Sequence, residues 1–303
     1  MSRLSRRDVL AALAVTAGGC VPRPARERDE GAPTVSERMP AIFLPHGGGP
    51  WPFVDVGFGD PEEHARLRRY LERLPTFAPV RPRAVLAISA HWEAPLPTVA
   101  SAPRPPMLYD YHGFPPESYA ITWPAPGDPA LAAEVRALLE RAGLESAEDP
   151  ARGFDHGTFV PLKLAFPAAD VPTVQLSLVA GLDPAEHLAI GRALRPLRDA
   201  GVLIVGSGMS YHNLRGLFSG AAAAAQAAAA FDGWLHDAVQ RPAPQRDEAL
   251  TRWASAPSAR ACHPREEHLL PLMVVAGAGG DDAVSLPYTE RLFGLPVSAV
   301  HFG

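Results

Sequence analysis

Eleven histidines punctuate this 303-residue chain, and five of them stand where chemistry is easy to imagine. His46 heads His46-Gly47-Gly48-Gly49-Pro50, and His91 closes Val85-Leu86-Ala87-Ile88-Ser89-Ala90-His91. His156 lies in Gly153-Phe154-Asp155-His156-Gly157, His212 follows Gly206-Ser207-Gly208, and His268 sits in Glu266-Glu267-His268-Leu269-Leu270-Pro271. Imidazole is a ligand for Zn, Fe, Cu and Ni, and it donates and accepts protons near neutrality. Three protein ligands with positions left open make a catalytic rather than a structural metal site. Other centres lack their residues. There is no Cys-x-x-Cys pair and no His-Glu-x-x-His helix; the glycines after His46 lack the Lys-Ser/Thr of a phosphate loop, and Gly206-Ser207-Gly208 has the wrong spacing for a serine-hydrolase elbow. Of the remaining histidines, His64, His187 and His236 lie among polar neighbours in helical patterns and are expected at the surface. His301 alternates with Val300 and Phe302 on a strand and is expected to be structural. His263 precedes a proline and is expected outside the centre.

The elements that must position these side chains follow an α/β pattern of short apolar runs alternating with amphipathic segments. Strands are predicted at Ala41–Leu44, Ala84–Ser89, Thr98–Ala100, Thr173–Leu178, Val202–Val205 and Val297–Phe302. Helices are predicted at Pro61–Arg73, Pro129–Ala142, Thr158–Phe166, Pro184–Asp199, Ala221–Val239, Arg246–Ala254 and Arg265–Gly277. Several helices open on proline, whose missing N–H costs little in a first turn. The expected fold is a single α/β domain with a central, mostly parallel sheet flanked by helices. Ligands bind such sheets at the carboxyl ends of the strands. Three apolar runs deliver His46, His91 and His212 there, which points to one shared metal or catalytic centre. The glycines beside His46 and before His212 suggest backbone shaped for close approach. His156, expected at a helix start, would feel the positive end of the dipole and favour its neutral form.

Composition narrows the class. A formal charge of −5 gives no basic footprint, which argues against nucleic acid as a partner. The first twenty residues read as a targeting segment. Ser5-Arg6-Arg7-Asp8-Val9-Leu10 resembles a twin-arginine export signal, and the apolar segment after it is too short to span a bilayer. Ala17-Gly18-Gly19-Cys20 looks like a lipoprotein cleavage site with Cys20 as the acylated residue. Residues 21–39, rich in Pro, Arg and Glu, read as a disordered tether. The expected destination is therefore the periplasm, or a membrane surface to which a lipid on Cys20 anchors the protein. The catalytic domain is expected over residues 40–303, with its oligomeric state open.

Taken in order, His46-Gly47-Gly48-Gly49-Pro50, Ile88-Ser89-Ala90-His91-Trp92, Phe154-Asp155-His156-Gly157, Gly206-Ser207-Gly208 with His212-Asn213-Leu214, and Glu267-His268-Leu269-Leu270-Pro271-Leu272 resemble the 4,5-DOPA-type extradiol ring-cleavage dioxygenases of the class III extradiol superfamily. Tyr109-Asp110-Tyr111-His112-Gly113-Phe114-Pro115 and Tyr119 are similar to the loop after that family's second histidine. The resemblance implies one divalent metal, Fe(II) for activity or Zn(II) as found. It implies His46, His91 and His268 as ligands, with His212 beside the metal as a fourth ligand or as acid/base. It further implies that His156 contacts substrate or dioxygen, that Trp92, Tyr111 and His112 line the pocket, and that a catechol-type compound and O2 are the reactants. Two other readings use the same histidines: a zinc-dependent hydrolase, and a non-catalytic metal- or ligand-binding protein.

Overall fold

The structure is a computed structural model that describes residues 38–303, apart from positions 56 and 58. The expected export signal and lipid site lie outside the described residues, as does the tether up to residue 37. Met39, the last residue of that expected tether, is fully buried, and its N–H donates to the Arg198 carbonyl at 3.1 Å. Arg38 pairs with Asp199 at 2.6 Å. The folded region therefore takes in both residues.

Four parallel strands make the middle of the sheet. They are β1 (Ala41–Pro45), β2 (Ala84–Ala94), β5 (Thr173–Val179) and β6 (Val202–Gly208), and β1, β5 and β6 are buried along their whole length. Strands covered by helices on both faces read as continuous apolar runs, which is why these were legible. To them are added β3 (Thr98–Ala100), β4 (Ala147–Asp149), β7 (Val284–Leu292) and β8 (Leu295–Phe302). The order is β4-β3-β5-β2-β6-β1-β8-β7, with β8 antiparallel to β1 and to β7. Neither β4 nor β7 was expected. The first has three residues, and the second alternates partly exposed positions at the sheet edge.

The helices are α1 (Pro61–Glu72), α2 (Pro129–Arg141), α3 (His156–Ala165), α4 (Pro184–Leu194), α5 (Pro196–Asp199), α6 (Leu214–Ser219), α7 (Ala222–Val239), α8 (Ala243–Thr251), α9 (Ala259–Cys262) and α10 (Leu270–Gly279). All ten residues of α10 are buried, as befits a helix that is apolar all round. It packs on β6 and α4. Gly191 and Gly277 let α4 and α10 touch backbone to backbone, since a Cβ on either would overlap the other helix.

Four expectations are corrected. The helix predicted over Pro184–Asp199 ends at Leu194 and restarts at Pro196, because proline has no N–H to continue the ladder. The helix predicted from Arg265 begins only at Leu270, with Pro271 in its first turn; residues 263–269 form an irregular turn instead. The helix predicted over Arg246–Ala254 runs from Ala243 to Thr251. Strand β2 does not stop at Ser89 but continues through His91 to Ala94.

The sheet sets up the site. β6 lies between β1 and β2, all three parallel, with Pro45 level with Gly208 and Ser89 level with Ser207. Their carboxyl ends therefore open side by side.

Candidate metal centre

The register of β2 against β5 slips between Ile88 and Glu93, whose partners Leu176 and Leu178 are only two residues apart. The extra residues of β2 form a bulge that carries Ser89, Ala90, His91 and Trp92. Bulges re-aim side chains beside functional sites, and this one turns His91 inward. There its ring meets His46, with centroids 4.9 Å apart, and His268 at 4.8 Å. His156, the first residue of α3, lies 4.0 Å from His91 and 5.4 Å from His46. His212 stacks on His268 at 3.3 Å. The five histidines singled out in the sequence thus converge.

Each imidazole is held from behind. The Ser207 hydroxyl donates to the Gly157 carbonyl, which leaves its oxygen to accept from His46 Nδ1 at 3.0 Å. That arrangement fixes the proton on Nδ1 and frees Nε2. Asp110 holds two rings. One oxygen accepts from His156 Nδ1 at 2.8 Å, and the other lies 3.3 Å from His91 Nδ1. The His156 backbone N–H also donates to Asp110, at 2.9 Å. Glu267 serves the other pair, with one oxygen 3.0 Å from His268 Nδ1 and 3.2 Å from His212 Nδ1. Carboxylates behind metal-ligating histidines orient the ring and raise its basicity.

The backbone is folded to allow this. Asp155 caps α3, its side chain accepting from Thr158 N, and it also accepts from Ser89 Oγ at 2.7 Å and from Arg152 at 2.9 Å. A side chain at Gly157 would come within 2.7 Å of Ser89 Oγ and 2.9 Å of His91 Cδ2. A Cβ at Gly208 would collide with the His268 carbonyl, which accepts from Met209 N–H at 2.9 Å. So the glycines of β6 do serve close approach, but what approaches is the turn bearing His268 at Gly208 and the start of α10 at Gly206. His212 N–H donates to the Cys262 carbonyl at 3.0 Å, and the His263 ring bonds the Ser210 carbonyl at 2.9 Å. These bonds bind the two segments together and account for the stacked pair.

Electrostatics favours neutral rings at His46, His91 and His268. Burial, reinforced by the neighbouring imidazoles, holds His46 and His91 well below the ordinary histidine value. Burial also pushes His268 down to about 3 despite Glu267. Burial works against the Glu267 carboxylate, yet the bonds from His212 and His268 keep it below the usual range. Asp110 is likewise lowered, its own burial outweighed by His156. Neutral imidazoles backed by anionic carboxylates are the state a cation needs.

The residues fit a divalent ion. His46 Nε2 and His91 Nε2 face each other at 3.2 Å. Two ligands about 2.1 Å from one metal sit roughly 2.9 to 3.4 Å apart, depending on octahedral or tetrahedral geometry. Potential ligand atoms of His46, His91 and His156 gather within 4.8 Å, and so do those of His212, Glu267 and His268. The second grouping is the carboxylate clamp just described.

The other predicted residues fall into place unevenly. Tyr111 is buried, its ring 5.8 Å from His156, and its hydroxyl donates to the Ser118 carbonyl at 2.6 Å. Trp92 packs under the Arg152 guanidinium at 4.9 Å, and His112 is exposed on its loop. His301 is buried and bonded to Tyr70 at 2.8 Å. His187 is not at the surface. It is wholly buried, accepting from Val179 N–H and bonded to the Asp183 carbonyl, and so ties β5 to α4. His236 is half-buried on Ser298, and His64 is half-buried between Trp51 and Phe293. A polar neighbourhood in sequence did not mean exposure. Ser207 and Asp110 went unassigned, although one sat between two glycines and the other inside the tyrosine-rich loop.

Comparison with known proteins agrees with this site. Residues 40–295 match the family described as the catalytic LigB subunit of aromatic ring-opening dioxygenase. The chain is 40% identical over 283 residues to dioxygenase tasH of Hapsidospora irregularis, covering 87% of this chain and 85% of that protein. It is 34% identical over 254 residues to the 4,5-DOPA dioxygenase extradiol of Escherichia coli, covering 83% and 90% respectively. The crystal structure of an uncharacterized protein from Escherichia coli K12 superposes with a TM-score of 0.71 at 32% identity, covering 88% of this chain and all of that one. The family match, the identities over most of the chain and the shared fold show that the chain belongs to the class III extradiol family and is a non-haem, metal-dependent, aromatic ring-cleaving dioxygenase.

Proposed function

We propose that the protein opens the ring of a catechol-type substrate with O2 at one divalent metal held by His46, His91 and His268, Fe(II) in the active form. The observation that carries the reading is the facing Nε2 pair of His46 and His91, each ring held through its other nitrogen by Ser207 or Asp110. His268 suits the third position because it is buried and anchored by Glu267. His156 suits another role. It opens a ten-residue helix, where the dipole favours an anion over a cation, so it would face a catecholate oxygen or dioxygen. When bound, the metal supplies one-electron chemistry and orients substrate and O2 together. The chain's own residues do the rest. Asp110 keeps the His156 proton on Nδ1 in the resting state, so that Nε2 can accept one from a catechol hydroxyl. His212, stacked on His268 and held by Glu267, moves the second proton or completes the ligand set. Tyr111 forms a wall beside His156, and Trp92 with Arg152 stiffens the bulge behind His91. 4,5-DOPA relatives make a substituted catechol the substrate class to test first.

The test is anaerobic loading with Fe(II) or Zn(II), then a panel of catechols with air, following oxygen uptake and a coloured ring-opened product. Uptake with Fe(II) only is expected; tight metal without uptake for any catechol would overturn the reading.

Export by the twin-arginine route, cleavage before Cys20 and lipid attachment there belong to the same proposal, supported by Arg6-Arg7 and Ala17-Gly18-Gly19-Cys20. Mass spectrometry of the mature N-terminus decides it. A chain that keeps Met1 to Gly19 in the producing cells would refute it.

A further inference from the structure

Behind the stacked His212 and His268 stands a residue that the proposed chemistry does not use. Arg265 lies in the turn between α9 and α10. Its guanidinium grips both oxygens of Glu93, at 2.5 and 2.6 Å. One of the same nitrogens lies 3.4 Å from Glu267 Oε2. Glu267 Oε1 is the atom that both His212 and His268 share. Glu93 sits two residues past His91, where β2 regains its register beyond the bulge. One side chain therefore connects the strand that delivers His91 to the carboxylate that aims two other imidazoles.

We infer that Arg265 is a positioning residue, which locks the Glu267 carboxylate so that one oxygen serves His212 and His268 together and ties that turn to β2. The inference rests on the proposed use of His268 as a ligand. A carboxylate with one oxygen shared by two rings needs something to occupy the other; otherwise rotation about its terminal bond lets water compete for both. A planar guanidinium suits this because its fork can hold Glu93 bidentately and still present an N–H to Glu267. A lysine would offer the charge without the fork. The pairing is half-exposed, with Arg265 at 52% and Glu93 at 26%, and exposed ion pairs add little to stability. Its effect belongs in the centre rather than in the melting temperature.

The experiment uses the full chain in four forms: native, Arg265→Met, Arg265→Lys and Glu267→Gln. Zn(II) affinity is measured by competition with a chelator, the visible spectrum is recorded after Co(II) loading, and kcat and KM are determined with Fe(II). Altering groups behind metal ligands costs 10–100-fold in affinity or activity. Arg265→Met is expected to lose roughly tenfold in Zn(II) affinity and in kcat, with an altered Co(II) spectrum, KM within twofold and an unchanged melting temperature. Arg265→Lys should recover part of the loss. Native affinity, spectrum and kcat in Arg265→Met, beside an impaired Glu267→Gln, would overturn the inference alone. Native behaviour in Glu267→Gln as well would overturn the reading of the centre on which it rests. A lower melting temperature with an unchanged spectrum would reduce Arg265 to a structural contact.

Discussion

His156 and His268 both point into one cluster, but they are held by different carboxylates on different elements. His156 belongs to Asp110 and the start of α3; His268 belongs to Glu267 and the turn before α10. The two should separate on substitution. His268→Ala is expected to lose the metal, measured as stoichiometry after gel filtration, and all turnover with it. His156→Ala is expected to keep one metal per chain and lose about 10²- to 10⁴-fold in kcat, the range for a removed general acid or base. If His156→Ala loses the metal and His268→Ala keeps it, their roles are exchanged. The histidines themselves were legible, because strand ends, glycines and a helix start mark them out as an ordered set. Their supports were not. Asp110 meets His156 across 46 positions, and Ser207 meets His46 across 161. No local pattern records such a pairing.

Among the elements, the bulge in β2 and the start of α3 form one unit. Ser89, Asp155, Arg152 and Gly157 lock them together, and Gln175 bonds Asp155 from β5. Gly157 is a tight point between them. Gly157→Ala is expected to cost about 1–3 kcal/mol, as overpacking does, because Ser89 Oγ and His91 Cδ2 stand within 3 Å of the new methyl. The same shift should lower metal affinity, since His91 must give way. Urea unfolding and Zn(II) competition check the two effects. A variant with full stability and full affinity would show that the bulge is pliant. The bulge explains why the sequence suggested a strand stopping at Ser89: regular pairing with β5 breaks after Ile88 and resumes only at Glu93. Likewise, His268 was expected inside a helix because Arg265–Gly277 looks helical by composition, but Pro264 and Pro271 bracket a turn. The parallel strands were legible because burial on both faces leaves one continuous apolar signal, whereas the edge strand β7 shows a mixed one.

For the molecule as a whole, buried histidines outside the centre set its tolerance of acid. Burial holds His301 down to about 3 and His263 to about 4. Unfolded, each takes a proton near its ordinary value of about 6.5. Between those limits the unfolded chain binds more protons than the folded one, so stability falls as pH drops below about 6.5. Each such histidine contributes a slope of about 1.4 kcal/mol per pH unit. His301→Gln keeps an acceptor for the Tyr70 hydroxyl and should lessen the slope by one proton between pH 6 and 4.5, measured by urea unfolding of metal-free protein. An unchanged slope would mean that His301 is already protonated in the fold. The sheet order has another consequence, for synthesis. β1 leaves the ribosome first among the described strands, yet its neighbours are β6 and β8. His46 therefore waits, exposed, for a serine 161 residues behind it and for the turn that carries His268. No nascent fragment lacking those parts can assemble the whole pocket, which makes metal capture a late event in the life of the chain.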